Sequence, residues 1–254
     1  MNDLSAFRQG PICHRCLHDK NAGRPENSWE ALDAAIERGL AVEIDLQVSA
    51  DGHAMVFHDE TLDRLTEESG AVNARNAAEL SRIPLTGGSK PIPIFSDFVR
   101  YVDGRVPLLV ELKDQDGALG NAESELEKSV CDTLLGYSSD VALMSFNPHI
   151  IARCAELAPD IPRGLVTDLF SATDWPDVSR SRREQLAQIP DYEAIGATFI
   201  SHNVNDLESE AVAKIKDSGG DVYCWTVRSQ EQEDIARKIA DSVTFEGYTP
   251  RDIS

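Results

Sequence analysis

Short apolar runs alternate with amphipathic stretches along almost the whole chain, and this alternation restricts the fold more than any other feature. Runs of strand length lie near Ile12–His14, Ala41–Val48, Ala54–His58, Pro107–Lys113, Val141–Phe146, Arg163–Val166, Thr198–His202, Asp221–Val227 and Ser242–Phe245. The clearest helical stretches are Ser28–Arg38, Ala122–Leu135, Pro148–Leu157, Arg180–Gln188, Leu207–Asp217 and Gln230–Ala240. In Ser28–Arg38, Trp29, Leu32, Ala35 and Ile36 fall on one face. Ser28 can cap its start, and Gly39 sits where the helix should stop. Strands that alternate with helices imply βα units and a parallel sheet. Roughly eight such units predict a (β/α)8 TIM barrel rather than an open doubly wound sheet. The polar segment Glu60–Asp103, with Thr86-Gly87-Gly88 and Pro91-Ile92-Pro93, is expected to be a small insertion after the second βα region. It should hold one short helix, Ala77–Ser81. No repeat, linker or low-complexity tract divides the chain, so residues 1–254 are expected to form one domain.

Several of the strand-like runs carry ionisable residues among Val, Ile, Leu and Phe: His14-Arg15, Glu43-Ile44-Asp45, His58-Asp59 and Glu111-Leu112-Lys113. Buried carboxylates are costly unless a cation or hydrogen-bond donors compensate them. Side chains alternate between the faces of a strand, so Glu43 and Asp45 share one face and Val42, Ile44 and Leu46 the other. In a barrel the apolar set would meet the helices and the acids would point inward, near the end where barrel active sites lie. Glu111 and Lys113 repeat the pattern. Three inward carboxylates match the oxygen coordination of one divalent cation, Mg²⁺ or Ca²⁺. The competing reading is internal ion pairing with Arg15 and Lys113. A lone histidine at a strand end is usually structural, but His14 and His58 beside three carboxylates suggest an acid/base pair. Arg15 and Lys113 offer the cationic groups that a phosphate or carboxylate substrate needs.

The chain has the composition of a water-soluble globular protein, with 41% hydrophobic and 27% charged residues. A net charge of −20 argues against nucleic acid or an anionic membrane as a general partner. It also requires concentrated local positive charge wherever an anionic substrate binds. No apolar run is long enough for a membrane span, and the N-terminus lacks a basic stretch followed by an apolar one. The five cysteines are odd in number and mostly lie in apolar contexts. These features together predict a cytoplasmic protein.

The ordered set of motifs resembles the glycerophosphodiester phosphodiesterase family of the phosphatidylinositol-phospholipase-C-like superfamily. The resemblance rests on His14-Arg15, Pro25-Glu26-Asn27-Ser28, Glu43-Ile44-Asp45, Asp51-Gly52, His58-Asp59 with Leu62-Asp63-Arg64-Leu65-Thr66, and Glu111-Leu112-Lys113. It continues through Ser145-Phe146-Asn147-Pro148 and Trp225-Thr226-Val227 to Phe245-Glu246-Gly247. It implies a barrel enzyme that hydrolyses small glycerophosphodiesters to sn-glycerol 3-phosphate and an alcohol. By the same resemblance His14 and His58 are the acid/base pair, and Glu43, Asp45 and Glu111 are the metal ligands. Arg15 and Lys113 contact phosphate, and Glu26 and Asn27 line the site, although Asn27 could equally hold the start of the following helix. Trp225 is either the aromatic wall of the substrate site or ordinary core. The segment Glu60–Asp103 resembles the family's insertion over the barrel mouth.

One departure stands out. The family usually has glycine directly after His-Arg, and this chain has Cys16. A side chain there could crowd the phosphate, which leaves a second reading: a barrel that binds phosphodiesters or metal with weakened catalysis. Cys13 and Cys16 also form a Cys-x-x-Cys pair, whose third reading is a thiol-redox or zinc site. His202 is expected to be structural, and Asp63, Arg64 and Thr66 to anchor the insertion.

Overall fold

The computed structural model describes residues 4–251. Eight parallel strands close into a barrel: β1 (Ile12–Cys13), β2 (Val42–Val48), β4 (Leu108–Leu112), β5 (Val141–Ser145), β6 (Arg163–Thr167), β7 (Phe199–Asn203), β8 (Asp221–Val227) and β9 (Ser242–Phe245). β1 lies between β9 and β2, with Cys13 opposite both Phe245 and Val42, and so joins the two ends of the sheet. This is the (β/α)8 architecture that the alternation predicts. A ninth strand, β3 (Ala54–Val56), is not a barrel stave. It runs antiparallel to the upper part of β2, pairing Val48 with Ala54 and Leu46 with Val56. Because β3 turns back down along β2, the residues that follow it arrive at the level of Asp45; Phe57 N–H donates to the Asp45 carbonyl.

Helices α2 (Trp29–Glu37), α4 (Phe95–Val102), α5 (Glu125–Leu134), α6 (Pro148–Leu157), α7 (Arg180–Leu186), α8 (Glu210–Asp217) and α9 (Gln230–Ala236) lie between the strands. Two more, α1 (Ser5–Arg8) and α3 (Ala77–Leu80), are single turns. Serines cap five of them: the side chains of Ser28, Ser124, Ser179, Ser209 and Ser229 each accept from a backbone N–H in the first turn. The segment Glu60–Asp103 does hold the expected short helix, but its last part is α4, which carries Phe95, Phe98, Val99 and Val102 into the core between barrel and helices. The insertion proper therefore ends near Ile94.

Strand parity holds in β2 and β4. Val42, Ile44, Leu46, Leu108, Val110 and Leu112 pack outward in the main core with Leu32, Phe98 and Val130. Inside the barrel, Ile12, Ala41, Leu109, Phe199 and Tyr223 form an apolar layer near the strand starts. Leu4 and Phe7 of the N-terminal segment join this layer, and Arg8 binds Asp221 through two contacts of 2.8 Å. The lower end of the barrel is thus filled with hydrocarbon. Charged groups occupy the layer above it, toward the strand C-termini.

Candidate active site

Glu43 and Asp45 project inward from β2, and Glu111 projects inward from β4 in register with Asp45. All three are buried, and one carboxylate oxygen from each lies within 4.8 Å of the others. Lys113 reaches back over β4 to place its Nζ 2.7 Å from Asp45 Oδ1 and 2.6 Å from Glu111 Oε1. Burial opposes the Lys113 charge, but these two carboxylates outweigh it and raise its pKa. Burial likewise opposes ionisation of Asp45. Lys113, His58, Arg15 and His14 overcome that penalty and hold its carboxyl well below the ordinary carboxylate range. Glu43 is different. It accepts the Arg15 backbone N–H at 2.8 Å, and burial together with Asp45 and Glu111 pushes its pKa well up. A buried triad of hard oxygen donors with one uncompensated member fits a divalent cation such as Mg²⁺ or Ca²⁺.

Each of the two histidines predicted for the site leans on a carboxylate through Nδ1. His14 Nδ1 is 2.5 Å from Glu246 Oε2, and His58 Nδ1 is 2.7 Å from Asp59 Oδ1. An Nδ1–H donated to a carboxylate leaves Nε2 of the same ring as a free base. Burial lowers the His14 pKa, against the opposing pull of Glu246, which favours that neutral form. Glu246 itself is held well below the usual range by its bond to His14 and by His18 and Arg228 nearby. The two orienting carboxylates were not assigned roles from the sequence. Asp59 adjoins His58, but Glu246 lies 232 residues from His14 and only closure of the barrel joins them.

Arg15, Glu26 and Asn27 come to the same rim. Arg15 Nη1 binds Glu26 Oε1 at 2.7 Å, and its Nε lies 3.4 Å from Asp45 Oδ2. Asn27 donates from Nδ2 to Asp45 Oδ2 at 2.8 Å and accepts the Asp45 backbone N–H, so it braces a carboxylate, while Ser28 takes the helix cap. Arg64, from the insertion, binds Glu26 through two contacts and Asp59 through two more. It therefore anchors the insertion as expected, and also links the His58 partner to the Arg15 partner. With Arg64 and Arg15 outweighing burial, the Glu26 pKa falls to about 2.

A small cavity of about 70 Å³ is lined by His14, Arg15, Glu43, Asp45, His58, Glu111 and Lys113 together with Trp225. An outer cleft of about 540 Å³ opens from His58, Glu111 and Lys113 toward Phe146 and Trp175. Trp225 is half-buried, with Nε1 donating to the Ser201 carbonyl at 2.9 Å and its ring edge-on to Phe146. It is part of a wall made with Phe146 and Trp175, whose ring centroids are 4.8 Å apart. Neither of the last two is given a role by the sequence: Phe146 enters there within Ser145-Phe146-Asn147-Pro148, and Trp175 looks like core. Cys16 is not in this cavity. Arg15 and Cys16 take φ values of 52° and 64°, the left-handed region that glycine enters freely, and the turn sends the Cys16 side chain into the main core. Cys13 is buried there too, and burial pushes both thiols up, which disfavours a reactive pair. His202 is structural in its contacts: it is buried, with Nδ1 against Thr167 Oγ1 at 2.8 Å.

Barrel, carboxylate triad and paired histidine–carboxylate dyads thus meet at the C-terminal end of the strands, with Arg15 and Lys113 beside them. Residues 14–244 match the model of the glycerophosphoryl diester phosphodiesterase family, and the chain belongs to that family and is a phosphodiesterase. The glycerophosphodiester phosphodiesterase of Caldanaerobacter subterraneus subsp. tengcongensis is 25% identical over 227 residues, 86% of each chain. Among solved structures, an Oleispira antarctica phosphodiesterase in complex with the product sn-glycerol-3-phosphate has a TM-score of 0.76 at 21% identity, covering 95% of this chain and 94% of that one. A glycerophosphodiester phosphodiesterase from Agrobacterium tumefaciens str. C58 has a TM-score of 0.67 at 22% identity, covering 93% and 95%. These structural likenesses bear on the fold. No helix among the described residues is long and apolar enough to cross a membrane.

Proposed function

We propose that the protein hydrolyses glycerophosphodiesters to sn-glycerol 3-phosphate and an alcohol, using His14 and His58 as the acid/base pair. One divalent cation, Mg²⁺ or Ca²⁺, would be held by Glu43, Asp45 and Glu111. The observation that carries this reading is that two histidines, each fixed at Nδ1 by its own carboxylate, line the same cavity as the carboxylate triad. The product bound to the Oleispira relative supports the choice of substrate class.

When bound, the cation supplies positive charge for the phosphate oxygens and favours ionisation of the glycerol 2-hydroxyl. Arg15 and Lys113 add fixed positive charge at the same place, which answers the unfavourable field of an acidic protein. One histidine accepts the 2-hydroxyl proton at Nε2 as that oxygen bonds to phosphorus. The other protonates the alcohol oxygen as its bond to phosphorus breaks. Water then opens the resulting cyclic phosphate with the two roles reversed. Asp59 and Glu246 keep each ring in the required tautomer and stabilise it when charged. Trp225 and Phe146 give the organic part of the substrate an apolar face. Glu26 and Asn27 position Arg15 and Asp45.

Hydrolysis of glycerophosphocholine, followed by phosphorus NMR, tests this directly. His14→Ala and His58→Ala should each reduce kcat by about 10²–10⁴-fold, the usual range for loss of a general acid or base. Both variants should keep their affinity for the cation, and EDTA should abolish turnover of the unmodified enzyme. Full activity in either variant, or hydrolysis insensitive to EDTA, would sink the scheme.

A further inference from the structure

Around His14 a second group of metal-competent donors comes together, separate from the carboxylate triad. One ligand atom each from His14, His18 and Glu246 lies within 4.8 Å of the others, and Glu246 Oε2 faces both His14 Nδ1 and His18 Nε2. The His18 Nε2 is buried and makes no hydrogen bond; Glu246 Oε2 stands 3.4 Å from it. A tetrahedral zinc ion with bonds of about 2.0–2.1 Å sets its donors about 3.3 Å apart, so the His18–Glu246 pair already has the spacing of one edge. The His14–Glu246 contact of 2.5 Å must widen, which rotation of the carboxylate about its soft terminal torsion provides. The chemistry of the donors differs from that of the triad. Two imidazoles and one carboxylate suit a borderline-soft ion, whereas three carboxylates suit a hard one. The opposing charges are Arg15, which is held by Glu26 and Asp45, and Arg228, 2.7 Å from Glu246 Oε1. The Arg228 side chain is 63% exposed, so water can solvate its charge if it leaves Glu246.

We propose that His14, His18 and Glu246 form an inhibitory cation site, selective for Zn²⁺ or a similar ion over Mg²⁺ and Ca²⁺. A neutral imidazole has one proton and one lone pair. When Nδ1 gives its lone pair to the metal, the proton must reside on Nε2. That nitrogen then has no lone pair for the substrate hydroxyl. Releasing its proton to a leaving alcohol would create an imidazolate. His14 is lost as a base and as an acid, and Glu246 is drawn from its orienting bond onto the metal. The consequence for turnover rests on the role proposed for His14 above, whereas the binding of the ion does not.

Cobalt(II) reports the site by visible absorption, which is strong for four-coordinate and weak for octahedral ions. It is titrated into wild-type protein and His18→Asn, both kept in excess Ca²⁺ to fill the triad. Zn²⁺ is titrated in parallel against glycerophosphocholine hydrolysis. Wild type should show one tight four-coordinate equivalent and a matching loss of activity that a chelator reverses. His18→Asn should hydrolyse normally without zinc, lose the cobalt band and need about tenfold or more zinc for the same inhibition. The proposal is overturned if wild type gives no four-coordinate band, or if His18→Asn binds cobalt and responds to zinc as wild type does. A cobalt band without hydrolysis in either protein would count against the proposed reaction and leave the cation site supported.

Discussion

At Glu43 a carboxylate is buried between Asp45 and Glu111. Among the described residues, the hydrogen bond it receives comes from the Arg15 backbone N–H, with Lys113 committed to the other two acids. Such a position costs stability until a cation arrives. Replacing Glu43 with Gln removes a carboxyl whose ionisation the site opposes while keeping the shape. The metal-free Glu43→Gln variant should therefore melt at the same temperature as wild type or higher. Wild type should gain about 2.7 kcal/mol when the cation is present at a hundred times its Kd, a Tm rise of roughly 5–10 °C. The variant should gain less than about 2 °C, since a neutral amide is a poorer ligand for a hard cation. Differential scanning calorimetry with and without Ca²⁺ checks both halves. A variant stabilised by the ion as strongly as wild type would remove Glu43 from the ligand set. Cys16 carries the complementary lesson. It was suspect as a side chain in place of glycine beside the phosphate, yet its left-handed backbone turns the thiol into the core.

Among the elements, β6 and β7 show how tightly the barrel interior is filled. A Cβ on Gly164 of β6 would lie 2.5–2.6 Å from the ring of Phe199 on β7, and that ring stacks on Tyr223 of β8 with centroids 5.0 Å apart. Gly164→Ala should cost about 1–3 kcal/mol by overpacking, lowering Tm by roughly 5 °C, with kcat for the diester little changed. An unaltered Tm would mean that the Phe199 ring moves aside freely. Most elements of this kind were legible in the sequence because each signal was local. Period-two alternation in Val42–Leu46 placed the acids inward, and Ser28 and Gly39 marked the ends of a helix. α4 was absorbed into the polar insertion because its N-cap position is Ile94, which makes no side-chain cap bond, and Pro91-Ile92-Pro93 precedes it. The run Ala54–His58 is legible as a strand, but the turn at Asp51-Gly52 does not reveal that the chain reverses on β2. The triad and histidines were legible for the reason that the β2 acids were. The pairing of Glu246 with His14 was not, because that contact exists only across the closed barrel, and Arg64 was legible as an anchor of the insertion but not as the link between Glu26 and Asp59.

For the whole molecule, 44 acidic residues against 24 basic ones give a surface that repels any net anion approaching it. The compensating charges (Arg15, Lys113 and the cation proposed for the triad) are confined to the barrel mouth. Attraction at contact and repulsion at distance respond differently to salt. Exposed charges are screened beyond about 8 Å at 0.15 M ionic strength but reach about 30 Å at 0.01 M. Asp45, by contrast, is buried and Lys113 beside it largely so, and their attraction is little affected. A diester with an uncharged head group, such as glycerophosphoglycerol, is a net anion, whereas glycerophosphocholine is a neutral zwitterion. The distant field should slow capture of the first and hardly touch the second. The ratio of their kcat/KM values, anion over zwitterion, should therefore rise by about two- to fivefold between 10 mM and 300 mM NaCl. Taking the ratio cancels any effect of salt on the fold or on the chemical step common to both. A flat ratio would show that the mouth, rather than the acidic surface, governs how substrate approaches.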